Sequence, residues 1–139
     1  MLTFGEADQL LDEVLAFLMS CGDYYRLTSR LEANILECLA VDQYIVHRNP
    51  AGEITHFICY WMITPQALED LKEGFRPQQI AGGISMFVLE HGNKDGRRGM
   101  TRIINDLRQK EPHNLGAAWR HKGKNIKSFP RQKGDNHGW

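Results

Sequence analysis

At 139 residues, 42% hydrophobic and 24% charged, the chain is long enough for one domain that buries roughly two-thirds of its unfolded surface, and too apolar to be disordered. No apolar run approaches the roughly 20 residues that span a bilayer, and the acidic N-terminus is unlike the basic start of a secretory leader, so a cytoplasmic protein is expected. The formal net charge of zero conceals a segregation: residues 1–42 hold eight Asp and Glu against two Lys and Arg, a balance of −6, which leaves +6 on the remainder.

In chain order, Glu6 to Cys21 places Leu10, Leu11, Val14, Leu15, Phe17 and Leu18 on one helical face, with Asp8, Asp12 and Glu13 toward the N-terminal end that a helix dipole favours for acids. After Gly22 the pattern returns from Thr28 to Val41, with Leu31, Ile35, Leu36 and Leu39 as its stripe. "QYIVHR", "NPAGE" and "ITHFICYWMI" read as strand, turn and strand, and the second strand has no clean alternation, which predicts burial on both faces. "TPQALEDLKEG" predicts a short helix with Thr64 as N-cap, Pro65 at the first position and Gly74 as stop. The strand "ISMFVLE", a Gly-rich basic loop and a helix from about Gly99 to Lys110 follow. A strand at Leu115 to Arg120, a turn at residues 122–124, a short strand at Ile126 to Phe129 and a frayed tail over 134–139 complete the chain. The expected fold is mixed α/β of the α+β kind, one domain over 1–133, in the order ααββαβαβ(β), with a largely antiparallel sheet flanked by helices.

Three features carry candidate chemistry. The loop "GNKDGRRGMTR" leads into a helix, where glycines let the backbone approach an anion and the helix start attracts it; Lys94, Arg97 and Arg98 add positive charge. Glu90 and His91 end the strand beside that loop, and either is of a type that removes a proton from an incoming ammonium. His47 and His56 face each other across the expected hairpin, a pair without a third ligand and therefore structural rather than metal-binding, so no metal is expected. Cys21, Cys38 and Cys59 each sit in an apolar segment without zinc or disulfide spacing, as buried thiols do. From Arg120 to Lys133 there are six Lys and Arg and no acid, with Trp119, Phe129 and Trp139 interleaved or nearby. That pattern suits a solvated basic edge, with contact to an acidic protein or nucleic acid as the less expected alternative.

In this order the chain resembles the GNAT superfamily of acyl-CoA-dependent acyltransferases, and within it the RTX-toxin-activating lysine acyltransferases. That family has a helix of the form N-[VI]-L-P-A-[IL] running into a Q-Y strand, a turn, and a strand with a late Trp. Asn34, Ile35, Leu36, Leu39, Gln43, Tyr44 and Trp61 match these positions. Phe87, Val88, Gly92 or Gly96, and the helix ending at Lys110 match its W-F-[IV]-D strand, Gly-containing turn and basic helix. "HKGKNIKSF" is similar to its late V-G-K-V segment. The likeness runs colinearly from about Ser20 to Phe129 through individually weak motifs.

The resemblance implies acyl transfer from acyl-CoA or acyl carrier protein to a lysine or other amine. Against the GNAT loop pattern [QR]-x-x-G-x-[GA], Gly96, Gly99 and Thr101 fall at the first position and the two glycine positions. The family's catalytic His falls on Asp23, or with a two-residue shift on Tyr25 followed by Arg26, and its catalytic Asp on Leu89 with Glu90 next in line. Two functions follow as expectations. One is an acyltransferase with Glu90 or His91 as base and a Tyr as acid. The other is a catalytically inactive inhibitor or adaptor of the kind that phages and mobile elements encode. The expected partners are a protein substrate or target, an acidic carrier protein recruited by the basic surface, or a second copy of the chain in a homodimer, rather than nucleic acid.

Overall fold

The computed structural model describes residues 1–22, 29–73, 83–121 and 125–130, of which 120, 121 and 125–130 are described by their backbone alone. Four helices and five strands follow one another as α1 (Phe4–Ser20), α2 (Ser29–Ala40), β1 (Tyr44–Arg48), β2 (Ile54–Ile63), α3 (Pro65–Lys72), β3 (Ser85–Asn93), α4 (Gly96–Lys110), β4 (Gly116–His121) and β5 (Asn125–Pro130). This is the order expected from periodicity. The sheet runs β1-β2-β3-β4-β5; β1 with β2 and β4 with β5 are antiparallel, and β3 with β4 is parallel. None of the described helices is long and apolar enough to cross a membrane.

The backbone groups into two compact units, residues 1–59 with 90–105 and residues 60–89 with 106–139. In the first, α1 begins two residues earlier than its apolar stripe suggests, because Thr3 and Glu6 form a capping box: the Thr3 hydroxyl accepts from the Glu6 amide at 3.1 Å, and Glu6 accepts from the Thr3 amide at 3.0 Å. The Thr3 amide, and after it the Thr3 hydroxyl, hold the Glu6 carboxyl below its ordinary pKa. Thr3→Ala removes the hydroxyl bond and keeps the backbone amide that Glu6 accepts from, and we expect a loss of about 1 kcal/mol in urea unfolding. Val14, Leu15, Phe17 and Leu18 of α1 are buried, as are Leu31, Ile35, Cys38 and Leu39 of α2, which packs on it. Each Leu or Phe side chain taken from water contributes about 2 kcal/mol.

The β1–β2 hairpin closes where the Gly52 amide bonds the Asn49 carbonyl at 2.9 Å and the Asn49 side chain accepts from Glu53 at 2.9 Å. Arg48 makes a two-pronged pair with Glu13 of α1, one prong at 2.9 Å, which lowers the Glu13 pKa. Both side chains are about two-fifths exposed, so the pair orients β1 more than it stabilises the fold.

In the second unit, β2 continues with every residue from Tyr60 to Ile63 buried, in line with a strand covered on both faces. Thr64 caps α3, its hydroxyl accepting from Ala67 at 3.1 Å with Pro65 at the first helical position; Gly74, expected to stop this helix, lies outside the described residues. Met86, Phe87 and Val88 of β3 pair with Ala117, Ala118 and Trp119 of β4. The Tyr60 hydroxyl, on a fully buried residue, donates to Glu111 at 2.9 Å and so meets the demand of a buried O–H for a partner. The tail over 134–139 lies outside the described residues.

Candidate functional site

The boundary between β3 and α4 departs most from expectation. The strand runs on through His91, Gly92 and Asn93, and the helix opens at Gly96 rather than Gly99. The anticipated loop therefore shrinks to Lys94 and Asp95, and Gly96, Arg97, Arg98, Gly99 and Thr101 are helical. The physical reason is a set of local bonds. The Asn93 side chain accepts from the Asp95 amide at 2.8 Å and donates to the Gly96 carbonyl at 2.9 Å, while the Lys94 amide bonds the Thr55 carbonyl of β2 at 2.8 Å and prolongs the ladder. Gly96 has φ +62°, the left-handed conformation glycine adopts without cost, and this lets the chain turn from strand to helix within two residues.

Side-chain alternation then sorts the strand end. His91 Nε2 lies 2.7 Å from His56 Nε2 on β2, the ring centroids 4.8 Å apart, and His56 meets His47 of β1 edge-to-face at 6.0 Å, the two being register partners in the hairpin. His56 is fully buried while His47 and His91 are half-buried. Burial, reinforced by the neighbouring His91 and His47, pushes the His56 pKa down to about 3, against a weaker opposing field from Asp95. Thus at neutral pH His56 is an uncharged imidazole.

Glu90 and Gly92 belong to the other face. A Cβ on Gly92 would lie 2.9 Å from Leu18 Cδ2 and Phe17 Cε2, so α1 rests directly on the strand there. Glu90 lends its negative field to the buried Cys59 thiol, whose pKa is raised by burial first and then by its hydrogen bond to the Cys38 thiol. Cys21, Cys38 and Cys59 form no disulfide. Of the two bases proposed at the strand end, then, only His91 shares a face with His56 and the start of α4.

The first N–H groups of a helix have no carbonyl of a preceding turn to bond, and in α4 they belong to Gly96, Arg97 and Arg98, all exposed. Lys94, also exposed, places its ammonium 5.7 Å from the centre of the Phe17 ring. Gly99 serves a purpose other than the expected one. A Cβ there would lie 2.4 Å from Asp95 Cβ, 2.9 Å from Asn93 Oδ1 and 3.2 Å from His56 Nδ1, so the protein's own side chains occupy the space that the missing side chain leaves. The Thr101 hydroxyl donates back to the Arg97 carbonyl at 3.1 Å, and Arg102 pairs with Asp95 at 2.9 Å. The remaining sequence candidates, Asp23 and Tyr25, lie outside the described residues.

The network of Asn93, Asp95 and Arg102 escaped sequence reading, although Asn two residues before an Asp-Gly pair is a recognisable turn signal. No group of three or more His, Cys, Asp or Glu that could hold a metal ion occurs among the described residues. Compared with known protein families, characterised proteins and solved structures, the chain shows no match.

Proposed function

We propose that the chain is an acyltransferase that moves an acyl group from an acyl-CoA or acyl carrier protein thioester to a lysine or other amine, with His91 as general base. The observation that carries this reading is the contact of His91 with a buried, neutral His56 beside the start of α4. Because His56 resists protonation, its Nε2 serves as acceptor for the His91 Nε2–H. In that tautomer the basic nitrogen of His91 is Nδ1, and the proton of His56 is on Nδ1, which is buried without a hydrogen-bond partner. His56 is then a positioning residue that fixes the tautomer of the base.

In this mechanism His91 takes one proton from the ammonium, and the neutral amine attacks the thioester carbonyl. The C–N bond forms, the C–S bond breaks, and the second amine proton passes to the leaving thiolate, so one proton is released to solvent per turnover. The first-turn amides of Gly96, Arg97 and Arg98, with the exposed cations Lys94, Arg97 and Arg98, are suited to the phosphates of a donor. A binding protein that keeps the fold without the reaction is the second reading, and the filled space beside Gly99 is what favours it.

The test is thiol release from acetyl-CoA, longer acyl-CoAs and acylated carrier protein in the presence of a lysine peptide. We expect His91→Gln to lower turnover by about 100-fold or more while donor binding, read by calorimetry, is kept. Wild-type turnover in His91→Gln removes His91 from the mechanism, and absence of donor binding in the wild-type protein leaves the binding reading.

A further inference from the structure

In the tautomer that accepts from His91, the fully buried His56 holds an N–H at Nδ1 that no acceptor bonds. A buried donor in that state calls for a physical reason. The carboxylate whose field reaches the ring is that of Asp95; His91, His47 and Arg102 are the other charged or titratable groups around it. Asp95 is turned onto Arg102, its Oδ2 accepting from Nη2 at 2.9 Å. The space between Asp95 and His56 is the one that Gly99 leaves. A Cβ on Gly99 would lie 2.4 Å from Asp95 Cβ and 3.2 Å from His56 Nδ1. Those two atoms are therefore no farther apart than the sum of these distances, within the swing of carboxylate oxygens two bonds beyond Cβ.

Arg102 is the group through which a ligand can turn Asp95. Its guanidinium reaches back to the residue just before α4, and its side chain is 60% exposed. It stands there at the helix start, where the first-turn residues Gly96, Arg97 and Arg98 are exposed, and Arg98 lies one turn before Arg102 on the same face. We propose that Asp95 is a two-position switch: it bonds Arg102 in the ligand-free protein, and turns to His56 Nδ1–H when a phosphate-bearing anion at the start of α4 takes Arg102. The anion favours the second position because only there is Arg102 available to it, which is the differential affinity that a population shift requires. Gly99 is the opening through which the carboxylate turns. With Asp95 as acceptor at Nδ1, His56 Nε2 becomes a stronger acceptor for the N–H of His91, so arrival of the anion raises the basicity of His91. In that use the switch rests on the acyltransferase reading. The switch itself is read from the protonation of His56 and not from turnover.

The experiment follows the ring nitrogens of His56 by NMR over a falling pH series in the full chain. The samples are wild type with and without millimolar inorganic pyrophosphate, Arg102→Gln, Asp95→Asn with and without pyrophosphate, and the double variant, with circular dichroism to confirm folding. In the wild-type protein alone His56 stays neutral until about pH 3. Pyrophosphate, or the loss of the guanidinium in Arg102→Gln, is expected to raise the midpoint by about 2 pH units and to move the Nδ1–H proton downfield. Asp95→Asn and the double variant show neither change. A midpoint that pyrophosphate leaves unmoved in the wild-type protein, or that Arg102→Gln leaves unmoved, overturns the switch. So does a rise of equal size in the proteins that carry Asp95→Asn, where only the field of the anion or of the lost guanidinium acts. Acyl transfer that is absent while both rises are present strikes the acyltransferase reading and leaves the switch standing.

Discussion

Acidification below pH 6.5 destabilises the protein by about 1.4 kcal/mol per pH unit through His56 alone, down to about pH 3, and His56→Gln removes that component of the slope. The folded state holds His56 neutral until about pH 3, whereas the unfolded chain protonates it at an ordinary histidine pKa. The unfolded state thus binds the extra proton throughout this window. Stability from this group is complete above the unfolded pKa and is lost as pH falls toward the folded one. Urea unfolding at a series of pH values measures the slope, and equal slopes for wild type and His56→Gln would sink the argument. At neutral pH the variant also loses the bond to His91, which costs about 1 kcal/mol, so the comparison rests on slopes and not on absolute stabilities.

Gly83→Ala is expected to cost about 3 kcal/mol. A Cβ at Gly83 would lie 2.6 Å from the Ile63 nitrogen and 2.7 Å from its Cα and carbonyl carbon. These are backbone atoms at the end of a buried strand, and they cannot swing aside as a flexible side chain can. The adjacent Ile84 carbonyl accepts from the Leu115 amide at 2.7 Å, so displacement of residues 83–84 also strains the entry to β4. Gly5→Ala is the matched control. It adds the same methyl to the first turn of α1, where nothing lies within 4 Å, and should raise stability by about 0.5 kcal/mol. Urea midpoints for the two variants should therefore move in opposite directions.

The architecture was legible in the sequence where local chemistry decides it. β2 was placed to the residue, and α3 was announced by Thr64-Pro65. The His47–His56 pairing followed from the hairpin length. What was not legible depended on neighbours distant in the chain. The start of α4 moved by a turn because the amide of Lys94 found Thr55 and the side chain of Asn93 found the backbone of Asp95 and Gly96. Glu90 and His91 look equivalent as adjacent residues at a strand end; alternation separates them, and only the pairing of β3 beside β2 tells which one meets His56. Gly99 reads as a ligand-binding glycine until its neighbours are known, and those neighbours are Asp95, Asn93 and His56.

The sheet order, identical to the chain order, bears on how the protein is made. During synthesis the N-terminal segments emerge first, and each later strand meets a partner strand that has already left the ribosome. No strand has to be inserted between two that are already paired, and β1 can zip to β2 through a turn of five residues before any of β3 exists. Assembly can thus proceed outward from the hairpin in one direction, with the growing edge always the next to be covered.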